Sequence, residues 1–187
     1  MDTAKENEII KDIRAMGKFG VFVGRINPMH LGHQVQIDLL IKAFEKQHLV
    51  MLGSCNKPIS IRHLFQHEDR SEFVHAVHPA ARIVPLPDFD DNQSWFTALD
   101  HLIQASGGDP KETVFFGGCE EDVLFYNGTG RKVYIVNRFE GMTKNVSGTE
   151  IRDALIEKRS LEGLLDPQII PLVQERFAVR WDQVRQK

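Results

Sequence analysis

Short apolar runs alternate along the chain with longer stretches in which apolar residues recur every three or four positions. The runs at 19–23, 49–52, 82–86, 113–116 and 132–136 read as buried strands. The stretches at 33–47, 67–78, 95–105, 120–126, 149–158 and 167–177 read as helices. In the first of these, Ile37, Leu40, Ile41 and Phe44 fall at i, i+3, i+4 and i+7, a single buried stripe. Strands separated by helices predict an α/β fold: a Rossmann-like parallel sheet flanked by helices on both faces. Ahead of the first strand, Ile9, Ile10, Ile13 and Met16 form a stripe that reads as a short helix on the domain, with a mobile arm as the alternative. The expected division is therefore an N-terminal extension, 1–18, and a main domain, 19–187.

In parallel sheets of this kind ligands bind beyond the carboxyl ends of the strands. The unusual residues of this chain sit there, after each strand: 24–33, 53–65, 87–95, the pair Gly117-Gly118, and 137–148. The first of these segments reads GRINPMHLGH. Gly24 lets the chain leave the strand, Pro28 stiffens the loop, and Gly32 bares backbone N–H groups where a helix begins. Free N–H groups at a helix start, together with the helix dipole, make an anion site. His30 and His33, three apart, can point the same way and donate hydrogen bonds to a phosphate. A metal is a weak alternative, because no third ligand stands nearby. The second such segment is SGTEIR, 147–152. Ser147 and Glu150 form a capping box, Gly148 again bares backbone, and Arg152 offers a forked donor from the first turn.

Composition narrows the partners. The chain has 187 residues, 42% hydrophobic and 26% charged, with a net charge of −3. That balance argues against a general nucleic-acid binder. No apolar run is long enough to span a membrane, and the charged N-terminus lacks the centre of a secretory signal. Cys55 and Cys119 form neither a CxxC pair nor a zinc pattern, so they read as thiols of a reducing, cytoplasmic compartment, although a bridge stays open.

The two phosphate-type helix starts resemble the HxGH nucleotidyltransferase superfamily, and more closely its archaeal-type nicotinamide-nucleotide adenylyltransferases. The shared pattern is Gly24, Arg25, Pro28, His30, Gly32 and His33, then Gly53-Ser54, Ser60-Ile61-Arg62, Phe65, Asp69-Arg70, Asn92 with Trp95, and Ser147 to Arg152. It departs at His63-Leu64, where the family has Asp-Pro or Asn-Pro, and at Gln66, where Thr is common.

The resemblance implies transfer of AMP from ATP to nicotinamide mononucleotide, with release of pyrophosphate. His30, His33 and Arg152 would be catalytic. Gly24, Arg25, Gly32, Gly117, Ser147, Gly148 and Thr149 would hold ATP and its phosphates. Ser54, Arg62, Asn92 and Trp95 would hold the mononucleotide, with the indole stacking on the cationic ring and the Asn amide matching the carboxamide. Without the resemblance, Trp95 would be read as core. Mg²⁺ is expected to arrive with ATP, with no dedicated protein site. Other acceptors, such as nicotinic acid mononucleotide or phosphopantetheine, a non-catalytic nucleotide sensor, and a homo-oligomer all remain open. His48, His75, His78 and His101 read as surface or helix-end residues, residues 85–91 as a solvated acidic loop, and 128–132 as a surface turn.

Overall fold

The structure, a computed structural model, describes residues 3–136 and 146–186. Among these residues, strands β1 (Phe19–Gly24), β2 (His48–Gly53), β3 (Ile83–Leu86), β4 (Thr113–Gly117) and β5 (Lys132–Ile135) pair in parallel, in the order β3-β2-β1-β4-β5. Side chains along each strand alternate between two cores. Phe19 and Val21 of β1, Leu49 and Met51 of β2 and Phe115 of β4 enter one core; Phe22, Val50, Leu52, Val114 and Phe116 enter the other. Both faces are covered, which is why the strands are apolar beyond their first residues.

On one face lie α1 (Thr3–Met16), α2 (Leu31–Phe44), α3 (His67–Val77), α5 (Gly148–Ile156) and α6 (Ile170–Arg185). The other face carries α4 (Asn92–Ala105) with Val123 and Tyr126. Pro85 falls within β3, which is an edge strand and so tolerates the missing N–H. The chain order reverses between β1 and β4, so their carboxyl ends diverge into the kind of crevice where such sheets bind ligands.

The N-terminal stripe is a helix packed on the domain. Ile13 is fully buried, Ile9, Ile10 and Met16 pack on the same core, and Arg14 donates to the carbonyls of Ala43 (2.7 Å) and Lys42 (2.9 Å) at the end of α2. Three expectations need correction. Residues 120–126 form two single 3₁₀ turns, Glu120–Asp122 and Leu124–Tyr126, instead of one helix. Seven residues give little return on helix nucleation, and burying Val123 and Tyr126 together suits a three-residue period.

The last helix starts and ends later than expected, because Asp166 holds a turn through the N–H of Gln168 and the stripe continues through Trp181 and Val184. Finally, His48 is buried, 1% exposed, and not a surface residue. Its Nδ1 donates to the Glu45 carbonyl and its Nε2 accepts from the N–H of Arg82 (3.2 Å), so the neutral ring ties β2 to the start of β3. His78 is buried too, at the end of α3, with Nδ1 3.3 Å from Asp38.

Cys55 and Cys119 are not joined by a disulfide. No helix among the described residues is long and apolar enough to cross a membrane. The polar segment expected after the fifth strand, 137–148, lies outside the described residues except for its last three.

Candidate active site

A crevice of about 740 Å³ opens at the carboxyl ends of the strands. Its floor is the divergence of β1 and β4, marked by Gly24 and Gly117. A side chain at 117 would meet Val123 at 2.3 Å, and one at 24 would meet the Phe22 ring at 2.7 Å, so both strands end in glycine. Just beyond the strand ends, Ile26 and Ser54 take left-handed backbone, φ +46° and +55°. Such conformations cost about 1–3 kcal/mol each and persist where surrounding structure enforces them.

That enforcement is visible. Asn27 exchanges two bonds with the backbone of Phe65, donating to its carbonyl (3.0 Å) and accepting from its N–H (3.1 Å). Arg70, 2% exposed, donates from Nη1 to the carbonyls of Arg25 (2.6 Å) and Gly53 (2.7 Å). It thus straps the ends of β1 and β2 together at the crevice mouth. Its neighbour Asp69 turns the other way, to Arg180 (2.8 and 3.1 Å), and fixes α3 to α6.

The α2 start forms one wall. His30 is its N-cap, and its Nδ1 accepts the N–H of His33 (3.3 Å). The two imidazoles stack at 3.6 Å with 22° between planes, and the Phe22 ring meets His33 edge-on at 5.9 Å. Opposite stands the α5 start. Ser147 caps it, accepting the Glu150 N–H (3.1 Å). Arg152 donates from Nη2 to the Thr149 hydroxyl (3.0 Å) and from Nη1 to the Asn27 carbonyl (2.6 Å). A Cβ at Gly148 would lie 3.1 Å from both that carbonyl and Arg152, so a side chain here would have to displace one of them by a few tenths of an ångström. Two helix beginnings 117 residues apart therefore meet across the HxGH loop.

His30, His33, Arg152, Gly24, Arg25, Gly32, Gly117, Ser147, Gly148, Thr149, Ser54, Arg62 and Trp95 all line this crevice. Asn92 does not. It is exposed in the first turn of α4, beside the cap Asp91, whose carboxylate accepts from the N–H (2.8 Å) and hydroxyl (2.7 Å) of Ser94. Trp95, one turn on, is half-buried. It packs on Phe96 at 5.2 Å and Phe125 at 5.3 Å while it lines the cavity.

Several lining residues escaped sequence reasoning: Gln36, Lys57, His63, Asp88, Asp122 and Phe125. Gln36 follows Gly32 by four and His33 by three, so the helical period could have found it. Asp88 sits in the stretch read as solvated. It accepts from the Ser54 hydroxyl (3.0 Å), lies 3.6 Å from Lys57, and its backbone exchanges two bonds with Asn56 at 2.9 Å each. Only folding brings residues 54 and 88 together, and no local signal marks it.

The electrostatics favour an anion. The lining carries Arg25, Lys57, Arg62 and Arg152 against Asp88 and Asp122. Burial pushes the Arg25 guanidinium below its ordinary value, and Arg62 pushes it further. Burial does the same to Arg152, followed by Arg25. His63 is lowered by burial, then by Arg25 and Arg62, so protonation of its ring is disfavoured. Guanidiniums stay charged regardless, so these cations repel one another until an anion enters. Among the described residues no three His, Cys, Asp or Glu side chains stand close enough to hold a metal ion.

The chain is similar in sequence and fold to known proteins. The nicotinamide-nucleotide adenylyltransferase of Thermococcus onnurineus is 25% identical over 167 residues, covering 86% of this chain and 84% of its own. That of Methanococcus maripaludis is 25% identical over 158 residues, covering 82% and 86%. A bifunctional NMN adenylyltransferase/ADP ribose pyrophosphatase from Francisella tularensis superposes with a TM-score of 0.73 at 21% identity, over 91% of this chain. This chain spans 53% of that protein, about half its length. A second structure of that enzyme, complexed with AMP and a manganese ion, has a TM-score of 0.66 at 20% identity. Over residues 21–154, which include both crevice-facing helix starts, the sequence matches the cytidylyltransferase-like family, and the chain belongs to it.

Proposed function

We propose that this protein transfers AMP from ATP to nicotinamide mononucleotide, giving NAD and pyrophosphate. The observation that carries the reading is the meeting of the α2 and α5 starts, tied by the Arg152–Asn27 bond, at the β1/β4 divergence. A triphosphate placed there touches both helix dipoles and two imidazoles at once. The acceptor's 5′-phosphate oxygen attacks the α-phosphorus of ATP, the bond to the β-phosphate oxygen breaks, and pyrophosphate leaves. The substrate brings its own nucleophile, so no protein nucleophile is needed. The protein's work is alignment and neutralisation of spreading charge.

His30 and His33 donate to the phosphates of ATP as charge develops. Arg25, Arg62 and Arg152 offset the repulsion that keeps two polyanions apart. Trp95 offers its face to the cationic pyridine ring, whose positive charge favours a π-rich partner. Magnesium would ride on the ATP phosphates, where it would neutralise charge. We place the reaction in the cytoplasm, where ATP is supplied.

The test is a panel of phosphorylated acceptors supplied with ATP, following pyrophosphate release and dinucleotide formation. Nicotinamide mononucleotide is expected to give NAD, and phosphopantetheine no product. Binding of ATP without any dinucleotide would turn the reading toward a sensor.

A further inference from the structure

Gln36 lies at the base of the crevice, 5% exposed, on the α2 face that carries Gly32 and His33. Its amide nitrogen is committed: Nε2 donates to the Gly32 carbonyl at 3.1 Å. A carbonyl can only accept, so the two ends of the amide are not interchangeable here. Its oxygen, Oε1, is shielded from solvent and has no hydrogen-bond partner among the described residues. A buried acceptor left without a donor is destabilising and rarely tolerated without a purpose.

The amide abuts the Gly117-Gly118 turn. A side chain at 118 would lie 2.9 Å from Gln36 Nε2 and 3.1 Å from Asp122 Oδ2, so glycine keeps this junction open. Asp122 adds a second acceptor, its Oδ2 taking the Gly118 N–H at 3.2 Å. Around Gly118 the crevice wall therefore presents two acceptor groups, the Gln36 amide oxygen and the Asp122 carboxylate. We infer that Gln36 is a specificity-determining residue of this site, whose amide oxygen selects a nucleotide base bearing an exocyclic amino group over one bearing a keto group.

This rests on the proposed function for the identity of the site and adds how the donor nucleotide is chosen. An amino edge supplies the donor that Gln36 Oε1 lacks. A keto edge sets an oxygen against two acceptors, and rejection of that kind is stronger than loss of a hydrophobic contact. ATP and ITP differ only at this edge, a 6-amino group against a 6-keto group with a proton on N1.

The experiment measures equilibrium binding of ATP and ITP to the wild-type protein and to Gln36→Met, by calorimetry, with the two kcat/KM values wherever turnover occurs. The wild type is expected to favour ATP by at least about a hundredfold, up to the ~10⁴–10⁵ of sites built around a substrate's polar group. Gln36→Met, similar in shape but without the acceptor, is expected to lose at least about tenfold of that preference, through KM and not kcat. Its melting temperature without nucleotide is expected to hold or rise, because an orphaned acceptor has gone. Equal binding of ATP and ITP by the wild type would overturn the inference whether or not the variant folds. An unchanged preference in Gln36→Met would also overturn it. If no acceptor gives a dinucleotide, the proposed reaction fails, and the binding ratio still decides the role of Gln36.

Discussion

Four helices begin at the crevice end of the sheet, and they divide into two pairs. The starts of α2 and α5 are capped by neutral side chains, His30 and Ser147, and both line the crevice. The starts of α3 and α4 are held by carboxylates. Asp69 accepts the Gln66 N–H at 2.9 Å, and Asp91 accepts from Ser94; neither carboxylate lines the crevice. All four follow parallel strands, and all four offer the free N–H groups and positive dipole end of a helix. A helix start serves an exogenous anion only when it does not already hold its own. α5 keeps an acidic residue, Glu150, in its first turn, but that residue is exposed while Arg152 lines the crevice. The same contrast accounts for Asn92, which lies on a helix start already occupied.

The sharpest way to break this contrast is at the α2 start. His33→Ala should lower kcat by about 10²–10³, the scale for losing one donor to developing charge, with KM changing far less. Steady-state pyrophosphate release checks it, and unchanged turnover would remove the imidazole from the chemistry. Next, Ser147→Asp should turn α5 into a helix of the second kind. Aspartate is as good a cap as serine, so the melting temperature should hold, while KM for ATP rises by about tenfold or more as a fixed carboxylate meets the triphosphate. Asp91→Ser at α4 should leave both KM values within about twofold, since serine caps as well as aspartate and residue 91 lies outside the crevice lining. A comparable loss in both variants would dissolve the distinction.

Trp95→Ala should raise KM for the mononucleotide by about five- to tenfold, matching a cation–π contact, and leave KM for ATP nearly unchanged. Equal effects on both substrates would return Trp95 to a purely packing role with Phe96 and Phe125.

The smallest expected effect lies at the opposite end of the sheet. Burial lowers the His48 pKa, opposed by its bond to Glu45 and assisted by Arg82. A lowered folded value means that below about pH 6.5 the unfolded chain takes a proton before the folded one does. Stability is therefore full above that pH and declines as acid approaches the folded-state value. His63 and His67, also lowered chiefly by burial, act in the same direction. Thermal melting between pH 8 and 5 should show a midpoint that falls below about pH 6.5, with a shallower fall in His48→Gln. A midpoint independent of pH would remove these histidines from the balance.

The short continuous apolar runs of β1, β2 and β4 made the sheet legible, because a strand buried on both faces is apolar at successive positions and too short to be a helix. Both phosphate-type helix starts were legible for a similar reason. A glycine, a cap and a cation within one turn act locally, so their spacing carries their geometry. The segment at 120–126 was misread because its conformation answers to burial of Val123 and Tyr126 under the sheet, which outweighs helix propensity. His48 was misread because one of its partners, Arg82, stands 34 residues on and reaches it only across the sheet.

The chain by itself thus determined the parallel α/β plan, the two helix starts that would hold phosphate, and the candidate side chains on them. Tertiary structure alone decided that those starts face each other, since the Arg152–Asn27 bond joins residues 125 positions apart. It also decided that Asp88 and Lys57 join the lining while Asn92 stays outside, and that Gln36 keeps an acceptor in reserve at the base. The physical reason is range. Caps, turns and periodicity act within about one helical turn of sequence, whereas a cavity is enclosed by segments whose meeting depends on how every layer packs.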